Sequence, residues 1–289
     1  MDDFLKKAIR IPEVRLPPIG KCIYCGCIEG LSDEHIVPYS FNGNFVLDES
    51  SCKECSEITS KFELRVARML YGAIRQKYSY QSRSRKKKKV RVPYQFSYQS
   101  EDGTTKSVVP EFDEYPYVAS VPYLPPPGIY KQLPLSDSNP EFTLMSVVDP
   151  DALRKLTERT GEKTLTVRHT DVFSYSDFCR LLAKIAHGYL VTLAGEHNGY
   201  IPLLPDLILE KSYTYSHYIG GVGANVPVTM LVSHVSTGFE SINGKVYVVC
   251  DIHLLSGVPA PMYRVIAAEV TDNSVLVQMT ATAKMGTIR

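Results

Sequence analysis

Two C-x-x-C pairs, Cys22/Cys25 and Cys52/Cys55, constrain this chain more than any other feature, and 26 residues separate them. Each pair presents two thiolates to one side of a tetrahedron, and two pairs complete the closed four-sulfur shell of a structural zinc. Seven cysteines is an odd number, and the paired spacing reads as metal ligation in a reducing compartment rather than a disulfide framework. Cys27 lies close by, but its offset fits the paired geometry less well. A segment of roughly 60 residues has a thin core and is where metals are recruited. A structural zinc contributes on the order of 10–16 kcal/mol to folding in small peptides. The expectation is therefore a zinc-stapled module over residues 20–80, with Zn2+ on Cys22, Cys25, Cys52 and Cys55.

The remainder of the 289 residues is long enough for a second, larger core. The sequence divides into an N-terminal segment 1–19, the module 20–80, a basic linker 81–92 and a domain 93–289. Asp2 to Arg10 suggests a short helix ended by Pro12. From Thr59 the apolar residues Phe62, Val66, Leu70, Ala73 and Ile74 recur at helical spacing. Val90 to Pro127 reads as strand-rich, Phe142 to Val148 as a strand and Pro150 to Thr160 as a short helix. The clearest helix is Ser176 to Leu193, where Phe178, Leu181, Leu182, Ile185, Ala186, Tyr189 and Leu190 form a wide apolar face. Strands are expected around Val226–Val235, Lys245–His253 and Val258–Glu269. The fold class is α+β: a small zinc-stapled module, then a larger α+β domain with a mostly antiparallel sheet.

The whole-chain charge of +1 conceals a strong polarity. Ser60 to Arg91 carries twelve Lys or Arg and one acid, a net of +11, so the rest of the chain carries −10. Such a patch concentrates polyanions, and its position just after the cysteine pairs points to nucleic acid. Lys61, Arg65, Arg68 and Arg75 share one face at helical spacing and are the candidate phosphate contacts. No signal-peptide pattern opens the sequence, and no apolar run approaches the length of a membrane span, so a cytoplasmic chain without membrane contact is expected. Homo-oligomerisation through the second domain is left open.

Between the cysteine pairs lie Asp33-Glu34-His35-Ile36-Val37-Pro38 and Asn42-Gly43-Asn44. A neutral imidazole can accept a proton near pH 7, and a carboxylate beside it can hold magnesium or manganese against a phosphate. The run over residues 20–78 resembles the HNH endonuclease family, in the branch with C-x-Y-C-G, E-H-I-x-P and a second C-x-x-C. That resemblance implies a ββα-metal fold and metal-dependent hydrolysis of phosphodiesters, with DNA ahead of RNA as substrate. It implies His35 as general base, Glu34 as ligand of a catalytic Mg2+ or Mn2+, and Asn44 as the residue that orients the base or supports the metal. The family's last position, a His or Asn directly after the second cysteine pair, is Ser56 here. Coordination through water, Asp33 or another residue then stays open. Asn42 and Asn44 also suit a plain Asn-Gly turn. Two other readings stand beside the nuclease: a non-catalytic zinc module that binds nucleic acid, and a C-terminal sensor or partner-binding domain controlling a latent nuclease.

Overall fold

The cysteine pairs bracket a strand–turn–strand–helix sequence in the computed structural model, which describes residues 12–69, 96–99, 103–137, 140–161, 166–167, 173–195, 198–223, 233–254, 256 and 260–284. Strand β1 (Val14–Leu16) runs parallel to β3 (Phe45–Cys52). Strand β2 (Leu31–His35) pairs antiparallel on the other side of β3, so the order is β1-β3-β2. The turn between β2 and β3 depends on two residues. Asn42 sits in the left-handed region (φ 60) and closes the short turn Tyr39–Phe41 through its N–H to the Tyr39 carbonyl. A Cβ at Gly43 would lie 1.8 Å from the Val37 carbonyl oxygen, so no other residue fits there.

Helix α1 (Lys53–Met69) follows β3 without a gap. It starts at Lys53 rather than near Thr59, where the apolar stripe begins. The reason lies in the cysteines: positions three apart on a helix share a face, so the first turn brings Cys55 beside Cys52. The helix proposed for Asp2–Arg10, the continuation of α1 past Met69 and the basic stretch 81–92 lie outside the described residues.

The middle of the chain is built from small pieces. Strand β4 (Phe96–Gln99) pairs with β5 (Thr105–Val108) and, on its other side, with β8 (Thr166–Val167); β6 (Tyr117–Tyr123) pairs with β7 (Thr143–Val148). Helix α2 (Pro150–Thr160) opens on Asp149, whose carboxylate accepts from the backbone N–H of Asp151 and Ala152, and closes on Gly161.

Helix α3 (Tyr175–Ala194) is the axis of the molecule. Ser174 caps it, and every residue except Ser176 and Thr192 is buried. A helix covered on all sides must lie between layers. One layer is a five-stranded antiparallel sheet made of β9 (Tyr200–Pro202), β10 (Ile219–Gly221), β11 (His234–Ile242), β12 (Lys245–His253) and β13 (Tyr263–Val270). Short helices α4 (Pro205–Ile208), α5 (Tyr215–Tyr218) and α6 (Ser274–Lys284) complete this half. The other layer is the four-cysteine module. One hydrophobic cluster runs through Cys22, Ile36, Leu47 and Phe62, along α3, and into Val248, Cys250, Val265 and Ala267 of the sheet. The expected mixed α+β class with antiparallel sheets is what the chain adopts, yet among the described residues no solvent gap separates module from domain.

The β11–β12 hairpin differs from the sequence expectation. The strand anticipated at Val226–Val235 falls mostly outside the described residues, and β11 runs from His234 to Ile242 instead. Its turn is Asn243-Gly244, with φ of 52 and 79, the two left-handed positions that a right-twisted two-residue hairpin requires.

Candidate metal and phosphodiester site

The four sulfurs of Cys22, Cys25, Cys52 and Cys55 all lie within 4.8 Å of one another. A tetrahedral zinc with Zn–S of about 2.3 Å sets its sulfurs about 3.8 Å apart, and Cys25 Sγ to Cys52 Sγ is 3.7 Å. The donor set therefore fits a structural zinc. Backbone geometry prepares it: Cys22 N–H donates to the Cys27 carbonyl and Gly26 N–H to the Cys22 carbonyl, forming a tight knuckle, while Ile23 N–H ties that knuckle to the Ser50 carbonyl. Burial and the neighbouring Cys22 push the Cys55 thiol well above its ordinary range. Crowded thiols that resist joint ionisation are relieved by a dication, which stabilises all four thiolates at once. Cys27 stays outside the cluster, exposed, with its sulfur on the Glu29 carbonyl.

The strand register sorts the residues between the pairs onto two faces. His35 opposes Val46 and Glu34 opposes Leu47, so adjacent side chains leave the sheet in opposite directions. Glu34 points inward and is 6% exposed. Its carboxylate is 2.7 Å from the Lys184 ammonium of α3, which is also 2.8 Å from Glu63 of α1 and bonded to the His35 carbonyl. Burial lowers the Lys184 pKa, but the two carboxylates outweigh it and hold the ammonium charged. Glu34 and His35 thus do not converge on one cation from their side chains. Neighbours on a strand leave it on opposite faces, which turns the Glu34 carboxylate toward α3.

On the face opposite Glu34, Arg15, Val46 and His35 form one row across the sheet, with Val46 buried between the other two. The Arg15 guanidinium bridges Asp48 (2.5 Å) and Asp33 (2.9 Å), with Glu13 at 3.3 Å. Asp33 also accepts from the Glu49 N–H. The half-buried His35 ring stands edge-on to Tyr39, centroids 5.6 Å apart. No family model matches the chain, and neither does any curated protein or solved structure.

Asn44 is half-buried, and its side-chain amide donates to the Pro12 carbonyl at 3.3 Å while its own carbonyl accepts from Val14 N–H. It anchors the chain entering β1. Of the basic helix face, Lys61 and Arg68 are exposed, whereas Arg65 is committed: its guanidinium grips the buried Asp177 carboxylate of α3 at 2.5 and 2.6 Å. Arg75 lies outside the described residues.

Sequence reasoning missed the polar stripe of α3. Asp177, Arg180, Lys184 and His187 recur at spacings of three and four; Asp177, Lys184 and His187 reach the four-cysteine module, while the Arg180 guanidinium also donates to the Ile208 carbonyl and pairs with Glu210. Asp177 takes Arg65, Arg180 lies 4.5 Å over the Phe62 ring, Lys184 takes Glu34 and Glu63, and His187 Nε2 donates to the Ile23 carbonyl at 2.7 Å. Burial pulls the His187 pKa down to about 4, so the ring is neutral. The signal was present as charged residues at helical period inside the most apolar helix of the chain.

Proposed function

We propose that this chain is a nucleic-acid-directed phosphodiesterase of the HNH type, braced by zinc, with His35 as the general base. The observation that carries the reading is the strand–turn–strand–helix frame closed by four cysteines, with an imidazole at the end of the first strand on a face that also bears carboxylates. Imidazole is the side chain whose ordinary pKa suits it to take a proton from water near neutral pH. The catalytic Mg2+ or Mn2+ belongs with Asp33 and Asp48 rather than Glu34. Those two carboxylates already share one cationic group, the Arg15 guanidinium, and Arg15 is half-exposed, so its ion pairs are cheap to exchange. A divalent ion bound there would supply charge neutralisation for the phosphate and leaving oxygen. Lys61 and Arg68 supply phosphate contacts, which position the nucleic acid without selecting its sequence, and DNA stays ahead of RNA as substrate.

A second reading, a zinc-braced nucleic-acid binder without catalysis, is favoured by one observation: Glu34, the carboxylate next to His35, is consumed in the interior by Lys184. A plasmid-nicking assay with magnesium or manganese separates the two. Wild type is expected to nick, with loss in His35→Ala and Asp33→Asn and retention in Glu34→Gln protein that folds. Equal nicking by wild type and His35→Ala would end the catalytic reading and leave the binder.

A further inference from the structure

The cleft between β2 and α1 holds two acids that leave the module's own elements and meet at one point, where a residue from outside the module intrudes. Glu34 comes from the strand, Glu63 from the helix, and the Lys184 ammonium from α3 lies between them. The lysine is 1% exposed. An ammonium has three N–H donors, and this one has three oxygen partners: Glu34, Glu63 and the carbonyl of His35. All three acceptors are hard oxygens, the donor type that magnesium and manganese select. Lysine 184 lies nearly 150 positions along the chain from the strand, so its arrival is a product of the tertiary fold and not of local sequence.

We propose that the Lys184 side chain is a tethered cation that occupies, permanently, the place of a divalent ion between Glu34 and Glu63. The zinc module then needs no second metal in this cleft. Its strand and helix carboxylates are neutralised from α3, and any divalent ion the protein uses binds elsewhere, on the His35 face. Charge supports this arrangement. A buried and a partly buried carboxylate without a cation repel each other, and a single ammonium supplies the smallest compensation that lets both stay ionised. Position supports it as well, since α3 packs tightly on the hairpin: at Gly188, one turn beyond Lys184, a Cβ would already be 2.9 Å from the Ile36 side chain. The ammonium is held in place by packing and not by its ion pairs alone. The placement of a divalent ion on the His35 face rests on the proposed function, whereas the exclusion of an ion by Lys184 does not, so the Asp33→Asn and Lys184→Met arms of the test fail separately.

The test counts manganese on zinc-loaded, full-length protein by electron paramagnetic resonance of the free ion. Lys184→Met removes the charge and keeps the volume. It is expected to bind one manganese per chain more than wild type, and Glu34→Gln added to it should abolish that extra ion. Manganese bound by wild type should survive Glu34→Gln and be lost in Asp33→Asn. The proposal is overturned if Glu34→Gln strips a manganese from wild type, or if folded Lys184→Met binds no more than wild type does. Should Lys184→Met not fold alone, refolding with manganese, or recovery in the neutral Glu34→Gln/Lys184→Met pair, supports the tethered cation. Failure of both rescues overturns it.

Discussion

Replacing Arg65 by Ala separates a structural clamp from a nucleic-acid contact. In the folded chain the guanidinium makes two bonds, at 2.5 and 2.6 Å, to an Asp177 carboxylate whose side chain is 6% exposed. Hydrogen bonds to charged groups contribute about 1.5–3 kcal/mol each in mutational series. Two facts reduce the loss here. The Arg65 side chain is 49% exposed, so water competes for it, and Arg180 remains 3.8 Å from Asp177 after the change. A cost of about 2 kcal/mol follows, and at about 2–4 °C per kcal/mol for a chain of this size the Tm falls by about 4–8 °C. Urea denaturation at neutral pH measures the first quantity and a thermal melt the second. Arg65→Lys, which keeps the charge but not the two-pronged geometry, should fall between wild type and Ala. If Arg65 instead contacts phosphate, Ala would leave stability within about 0.5 kcal/mol and reduce the salt slope of nucleic-acid binding by about one. That combination refutes the clamp.

Three further outcomes follow from the packing. Stripping zinc with a chelator should remove on the order of 10 kcal/mol and unfold the sheet as well as the module, because one core runs from Cys22 to Val265; circular dichroism with an unchanged C-terminal transition would contradict this. Burial holds the folded His187 pKa at about 4 against 6.5 unfolded, so the unfolded chain takes the proton first as pH falls. This stabilisation is complete above the unfolded value and drains away between the two, by about 3 kcal/mol; the stability difference between wild type and His187→Gln should shrink across that window, and a flat difference would show that the ring is not held neutral. Gly188→Ala gains helix propensity but drives a methyl into Ile36, which is 1% exposed, so a net loss of about 1 kcal/mol is expected by denaturation; a gain would mean that α3 and β2 pack less closely.

Much of the fold was legible along the chain. The cysteine spacing, the Asn-Gly turn in the module, the short helix at Pro150 and the long helix near Ser176 all follow from local chemistry, and each is where the residues place it. The Asn243-Gly244 pair is an equally clear turn signal, and it sets the β11–β12 hairpin downstream of the apolar run at Val226–Val235. The start of α1 is not legible from the apolar stripe, because its first turn is ruled by sulfur positions.

Sequence by itself determined the inventory: four thiolates in two hooks, a carboxylate and an imidazole between them, a basic run after them, and an α+β body. Tertiary structure decided the allegiances. Glu34 and His35 are neighbours in sequence but leave a strand on opposite sides, and only the docking of α3 settles which side is interior. Arg65 looks like any phosphate-facing arginine until Asp177, more than a hundred residues away, claims it. The physical reason is common to both cases. Periodicity fixes which residues share a face within an element, whereas charge pairing depends on which face another element covers, and that choice is made by packing across the whole chain.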